Sequence, residues 1–282
     1  MYPDLQKKIR RALSTMDAGM QAVFAPGGEV PAVGANFQQP DLARTLETIS
    51  QQGAAALYSA QGAIARDLDR YMRENGGLIR AADLARYRVL KSQPLWGEYR
   101  GHRIAIMPPP SSGVFILQML RMLAAHSETP AQAAARAPEN VHSEHLLGEV
   151  FRRGYADRAK LGGDPRYFNV PVDLLNSPEY AALRMRDFDP AARVPSDALV
   201  YPDVLRERVP AAFRESADAN PGQPRAEATE TTHFSILDSR GDAVSSTQSV
   251  NVVFGARVML PGWGMVLNDT MDDFSKAPGR PH

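Results

Sequence analysis

The chain reads as an α+β protein, with helices first and antiparallel strands last. Three observations predict this class. Apolar residues recur at helical spacing through residues 41–75 and again through 141–160. A small, polar, proline-bearing stretch over 210–230 then carries no apolar period and reads as an exposed loop. Beyond it, the pattern switches to strand-like alternation around tight turns. Helices, loop and strands in that order suggest an α+β or layered α/β/β/α arrangement.

In the first helical stretch, Leu42, Leu46 and Ile49 recur behind Asp41, a plausible N-cap, with Gly53 near the end. Leu57, Ile64, Leu68 and Met72 mark one face of a second helix that Gly76-Gly77 stops. Asp83 to Tyr87 form a short helical turn. Residues 93–107 predict a strand pair turning near Tyr99-Arg100-Gly101. Pro108-Pro109-Pro110-Ser111-Ser112-Gly113 is a stiff link into a helix from Val114. Residues 141–160 predict a helix with Val141, Leu146, Val150, Phe151 and Tyr155 as its apolar positions, broken by Gly162-Gly163-Asp164-Pro165. Residues 165–209 are irregular and proline-punctuated. After the loop, His233–Leu237 and Ala243–Val253 read as a hairpin turning at Asp238–Asp242. Arg257–Leu260 and Met265–Leu267 add short strands around Pro261-Gly262-Trp263-Gly264.

Composition bounds the chemistry. The 282 residues allow one large domain or two smaller ones, with 44% hydrophobic and 23% charged residues, ordinary values for a globular chain. Lys+Arg and Asp+Glu balance at 32 each, so no global field favours nucleic acid. The absence of cysteine removes disulfides, thiolate nucleophiles and zinc–thiolate sites. The apolar run Val114–Ala125 is short and carries Gln118 and Arg121, so no membrane span is expected. The first twenty residues have no continuous apolar segment and do not form a secretory signal.

The seam at Thr231-Thr232-His233-Phe234-Ser235 carries the sharpest chemistry. If the Glu230–Thr231 bond were cut, Thr231 would gain an α-amino group with a reference pKa of about 7.7–8.0. That amine can serve the hydroxyl of the same residue as its general base. Pattern alone leaves a second, commoner reading, in which Thr231-Thr232 is a β-branched pair opening a strand. Ser249 and Asn251, two apart on the expected second strand, would leave one face beside Thr231. Such alternation also marks a solvated sheet face. The run Asn268-Asp269-Thr270-Met271-Asp272-Asp273-Phe274 suits a substrate ammonium or an exposed acidic loop better than calcium. His142 and His145 lack the HExxH spacing and read as a solvated helix face. Neither a GxSxG elbow nor a phosphate-binding loop is present.

These residues resemble the γ-glutamyltranspeptidases, also called glutathione hydrolases, which belong to the N-terminal-nucleophile hydrolases. The likeness rests on Thr231–Ser235, Gly241-Asp242-Ala243-Val244 and the run Asn268–Ser275 (NDTMDDFS). Upstream it extends through Asn75–Ile79, Asp83–Tyr87, Tyr99-Arg100-Gly101, Met107–Gly113 (MPPPSSG) and Tyr155–Arg158. The resemblance implies a partial αββα sandwich of antiparallel sheets flanked by helices. It also implies a precursor that cleaves itself between Glu230 and Thr231, dividing a large-subunit-like region (1–230) from the start of a small-subunit-like region (231–282). Mature Thr231 would attack glutathione or another γ-glutamyl donor and pass the acyl group to water, an amino acid or a peptide. By position, Ser249 would orient the nucleophile, and Asn251 and Asp273 would bind the donor's α-amino group. No cofactor or metal is expected. Location in the periplasm or medium is the family's habit.

Two departures stand out. Thr270 occupies a position where the family usually has a longer Gln or Glu contacting the same α-amino group. Acylases on this fold, including those acting on glutaryl-cephalosporins, differ in such pocket residues. An acylase is therefore one alternative, and a non-catalytic binding protein is another. The resemblance also places the donor-carboxylate clamp and the oxyanion-hole glycines outside this sequence, so an internal fragment, inactive alone, is expected. Loss of one oxyanion donor alone costs about 10²–10³ in rate.

Overall fold

The computed structural model describes residues 1–126, 141–195 and 231–274. In chain order these form α1 (Pro3–Ala12), α2 (Ala18–Phe24), α3 (Pro40–Gln52), α4 (Ala55–Tyr58), α5 (Ala63–Glu74) and α6 (Ala81–Arg86). Strands β1 (Leu95–Tyr99) and β2 (His102–Ile106) follow, then α7 (Gly113–Ala125), α8 (Val141–Leu161), α9 (Val172–Leu175) and α10 (Pro178–Met185). Strands β3 (Thr232–Leu237), β4 (Ala243–Gln248), β5 (Met259–Leu260) and β6 (Met265–Val266) complete the series. They pair as three two-stranded antiparallel sheets, β1–β2, β3–β4 and β5–β6. The class is α+β. Among the described residues, no helix is long and apolar enough to cross a membrane.

The chain divides into two compact units, Met1–Leu90 with Arg225–Asp272, and Lys91–Pro224 with Asp273–His282. In the first unit, β5 is a wedge between two apolar clusters. Successive strand residues point to opposite sides. Met259 therefore joins Ile9, Ala12, Met16, Met20 and Phe24, while Leu260 joins Ala56, Ile64, Leu68 and Met72. Asp17 fixes this wedge. Its Oδ1 accepts the Met20 N–H at 2.8 Å and so caps α2, while its Oδ2 accepts from the Met259 N–H at 3.1 Å and the Tyr71 hydroxyl at 3.0 Å. The β5–β6 turn packs on α3. A side chain at Gly264, where φ is 62°, would come within 2.7 Å of the Leu42 nitrogen.

Two helix boundaries differ from expectation. Pro40 starts α3, so Asp41 lies inside the first turn and pairs with Arg44 instead of capping. The face expected to run from Leu57 to Met72 is split into α4 and α5 by a turn closed by Gly62 N–H to the Ser59 carbonyl at 2.9 Å.

In the second unit, β1–β2 turns through Arg100 (φ 51°) and Gly101 (φ 79°), the paired positive angles of a two-residue hairpin. Helices α7, α8 and α10 pack around Val114, Phe115, Leu161 and Tyr180, with Met122, Val150, Ala181 and Met185 further along. Helix α8 buries a different face from the one expected. Val150 is buried, but Phe151 and Tyr155 are 45% and 50% exposed, whereas Glu149, Arg153 and Asp157 are buried. Several of the buried polar groups pair with one another. Arg153 pairs with Glu149 and donates to the Arg184 carbonyl at 2.8 Å, and Asp157 Oδ2 accepts from the Tyr180 hydroxyl at 3.0 Å. Helix α10 departs from the irregular structure expected over 165–209. It forms because Ser177 caps it, its Oγ accepting the Tyr180 N–H at 3.1 Å, with Pro178 in the first turn.

Candidate active site

The β3–β4 register pairs His233 with Thr247 and Ser235 with Ser245. Alternation then puts Thr231, His233 and Ser235 on one face with Ser245, Thr247 and Ser249. This face is a ladder of hydroxyls around one imidazole. His233 Nδ1 lies 2.7 Å from Thr247 Oγ1, and Nε2 lies 3.1 Å from Ser245 Oγ and 3.4 Å from Ser235 Oγ. The far turn is pinned by Asp238, whose carboxyl is held below the usual range first by the Arg240 backbone N–H and then by that of Asp242.

Thr231 sits exposed just before β3, at the open end of the ladder. Its Oγ1 donates to Ser249 Oγ at 3.4 Å, a long contact that orients more than it stabilises. Ser249 Oγ also accepts the Asn251 backbone N–H at 2.9 Å. Here the expected geometry is corrected. Strand β4 ends at Gln248 rather than Val253, and Asn251 has φ of 75°. Ser249 and Asn251 are thus not same-face neighbours on a strand. A serine-to-backbone turn joins them, and asparagine tolerates the left-handed conformation that this requires.

Asn251 Nδ2 donates to the Asp269 carbonyl at 3.4 Å, and the Thr270 N–H donates to Asn268 Oδ1 at 3.1 Å. Thr270 opens, and Asp273 closes, a short 3-10 turn whose side chains are exposed. The structure thus links Thr231, Ser249 and Asn251 by hydrogen bonds and reaches Thr270 through its neighbour Asp269. Asp273 follows along the turn. Glu230 and the loop over 210–230 lie outside the described residues. Two contributors were missed in the sequence: His233, whose cross-strand contacts depend on register, and Asp269, hidden in a run of acidic residues.

His145 on α8 faces no ligand cluster among the described residues. His145 Nε2 lies 2.9 Å from the Asp189 carbonyl oxygen, and its ring stacks on Phe188 at 5.6 Å; the His142 side chain lies outside the described residues. Among the described residues, no group of three His, Cys, Asp or Glu side chains is placed to hold a metal ion.

This α+β chain, with a threonine at the head of an antiparallel hairpin, is similar in fold to N-terminal-nucleophile hydrolases of the γ-glutamyltranspeptidase kind. The family model described as Gamma-glutamyltranspeptidase matches residues 1–281. The acylase ACY 1 proenzyme of Pseudomonas sp. (strain V22) is 36% identical over 94% of this chain and 42% of its own length. The glutathione hydrolase proenzyme of Bacillus subtilis subsp. natto is 33% identical over 98% of this chain and 44% of its own length. The crystal structure of Helicobacter pylori γ-glutamyltranspeptidase superposes with a TM-score of 0.62 and 32% identity, covering 69% of this chain and 54% of that one. The chain belongs to the γ-glutamyltranspeptidase family, an enzyme family. It spans less than half the length of these two sequence relatives.

Proposed function

We propose that the protein carrying this chain is a γ-glutamyl hydrolase or transferase that uses Thr231 as its nucleophile. The single observation that carries this reading is the link from Thr231 Oγ1 to Ser249 Oγ, 3.4 Å across the open end of β3–β4. In the precursor, the Thr231 hydroxyl attacks the Glu230 carbonyl, the acyl group moves from nitrogen to oxygen, and water resolves the ester. The freed α-amine then takes the hydroxyl proton as Thr231 attacks the γ-glutamyl amide of glutathione or a similar donor. The leaving amine departs, and water, an amino acid or a peptide accepts the γ-glutamyl group.

Ser249 orients the nucleophile in this scheme, Asn251 and Asp273 hold the donor's α-amino group, and Thr270 is the substrate-binding position beside them. The pieces 1–230 and 231–282 are then the large- and small-subunit portions of one precursor. Export to the periplasm or medium fits the family. Thr270 favours a second reading on the same fold. Its short hydroxyl suits a donor without an α-amino group, and the acylase ACY 1 proenzyme is among the similar relatives. Comparing γ-glutamyl with glutaryl anilides separates the two.

The decisive experiment is intact-mass measurement of the full-length protein. Two pieces split at Glu230/Thr231, and a single uncut chain in Thr231→Ala, are expected. Cleavage in Thr231→Ala would sink the assignment of the nucleophile, and no cleavage in the parent would favour a non-catalytic binding protein.

A further inference from the structure

We infer that Asp269 is a positioning residue, acting through Asn251 to set the grip on the donor; this rests on the γ-glutamyl reading above. Asn251 has φ of 75° and the nearby Phe254 has φ of 65°, so this stretch holds non-glycine residues in a sparsely populated conformation. Such a conformation persists only where neighbours over-determine it. Asp269 joins Ser249 as such a neighbour, and it touches three consecutive residues. Its N–H donates to the Val250 carbonyl at 3.3 Å, its carbonyl accepts from Asn251 Nδ2 at 3.4 Å, and its Oδ1 accepts the Val252 N–H at 3.3 Å.

The two backbone contacts would survive any side chain, whereas the Val252 contact needs an acceptor at the position of Oδ1. The Asp269 carbonyl also accepts the Asp272 N–H at 2.8 Å, which starts the turn bearing Thr270 and Asp273. One residue therefore sets the Asn251 amide and the beginning of the turn relative to each other. Thr231 touches Ser249 rather than Asp269, so Asp269 stands two residues removed from the nucleophile, through Asn251 and Ser249.

Geometry and charge make opposite predictions for two variants. Asp269→Asn keeps an acceptor oxygen at the same reach and loses the charge, whereas Asp269→Glu keeps the charge and moves the oxygen by one methylene. Steady-state kinetics of the self-cleaved, full-length protein with a γ-glutamyl anilide reads the difference. Asp269→Ala and Asp269→Glu should raise KM by about tenfold, the scale of one hydrogen bond, with kcat little changed. Asp269→Asn should keep the parent KM. All three should still split before Thr231.

An unchanged KM in Asp269→Ala would overturn the role. So would a parent-like Glu variant beside a weakened Asn variant, because the carboxylate would then act on the donor directly. Should the alanine variant fail to fold, the Asn and Glu pair still decides. A parent that neither cleaves nor turns over the anilide removes the functional reading itself, and this inference with it.

Discussion

Thr270 shows how much one side chain decides. Its backbone is fixed by the N–H bond to Asn268 Oδ1 at 3.1 Å, and its side chain is exposed, so a longer residue has room to extend. Threonine ends one atom beyond Cβ, whereas glutamine carries an amide two bonds further. In a site that must hold an ammonium, an acceptor out of reach leaves that group without a partner. Thr270→Gln should therefore raise the ratio of kcat/KM for γ-glutamyl over glutaryl anilide by about tenfold. Paired assays of parent and variant measure it, and an unmoved ratio would mean that the position does not read the α-amino group.

At the scale of elements, the seam of α7, α8 and α10 holds the clearest pH signature. Asp157 is fully buried, and burial pushes its carboxyl above the ordinary aspartate range, against opposing pulls from Arg184, Gln118 and Tyr180. A raised folded value means that the folded chain binds the proton more tightly than the unfolded chain. Stability from this group is thus complete below the unfolded pKa and is lost as pH rises through the folded one. Asp157→Asn lacks that titration. The parent's stability advantage over Asp157→Asn should narrow as pH rises above the ordinary aspartate range, read by denaturant unfolding of both. A gap that widens with pH would show that the Arg184 pairing at 3.2 Å outweighs burial. This seam was illegible in the sequence. A helical polar residue reads as solvent-facing unless its partner is known, and Asp157 meets Gln118 and Tyr180 from other helices. By contrast, the β1–β2 turn was legible, because Gly101 takes positive φ at no steric cost. So was the start of β3, set by an abrupt change of period. The end of β4 was not. Nothing in the string VNVVF announces that Asn251 turns left-handed, because Asp269 supplies the reason from eighteen residues away.

For the whole molecule, the question is what self-cleavage at Thr231 would release. Residues 231–272 share a unit with residues 1–90, and the ties are deep rather than peripheral. Met259 and Leu260, 2% and 1% exposed, lie in two separate helical clusters. Trp263 Nε1 donates to Asp67 Oδ2 at 2.9 Å, and Thr45 Oγ1 donates to the Trp263 carbonyl at 2.6 Å. A cut at Glu230/Thr231 breaks none of these contacts. The cleaved pieces should therefore co-elute in size-exclusion chromatography and part only in denaturant. Met259→Ala tests what holds them, since truncating a buried methionine costs about 2–5 kcal/mol through lost transfer and the cavity left behind. Its pieces should separate at a lower denaturant concentration than those of the parent. Trp263→Phe, which removes one hydrogen bond and keeps most of the ring, should shift separation less, by about 1 kcal/mol. Pieces that part in plain buffer would show that the wedge does not join them. If Trp263→Phe outweighed Met259→Ala, the polar ties would be carrying the load assigned here to the apolar ones.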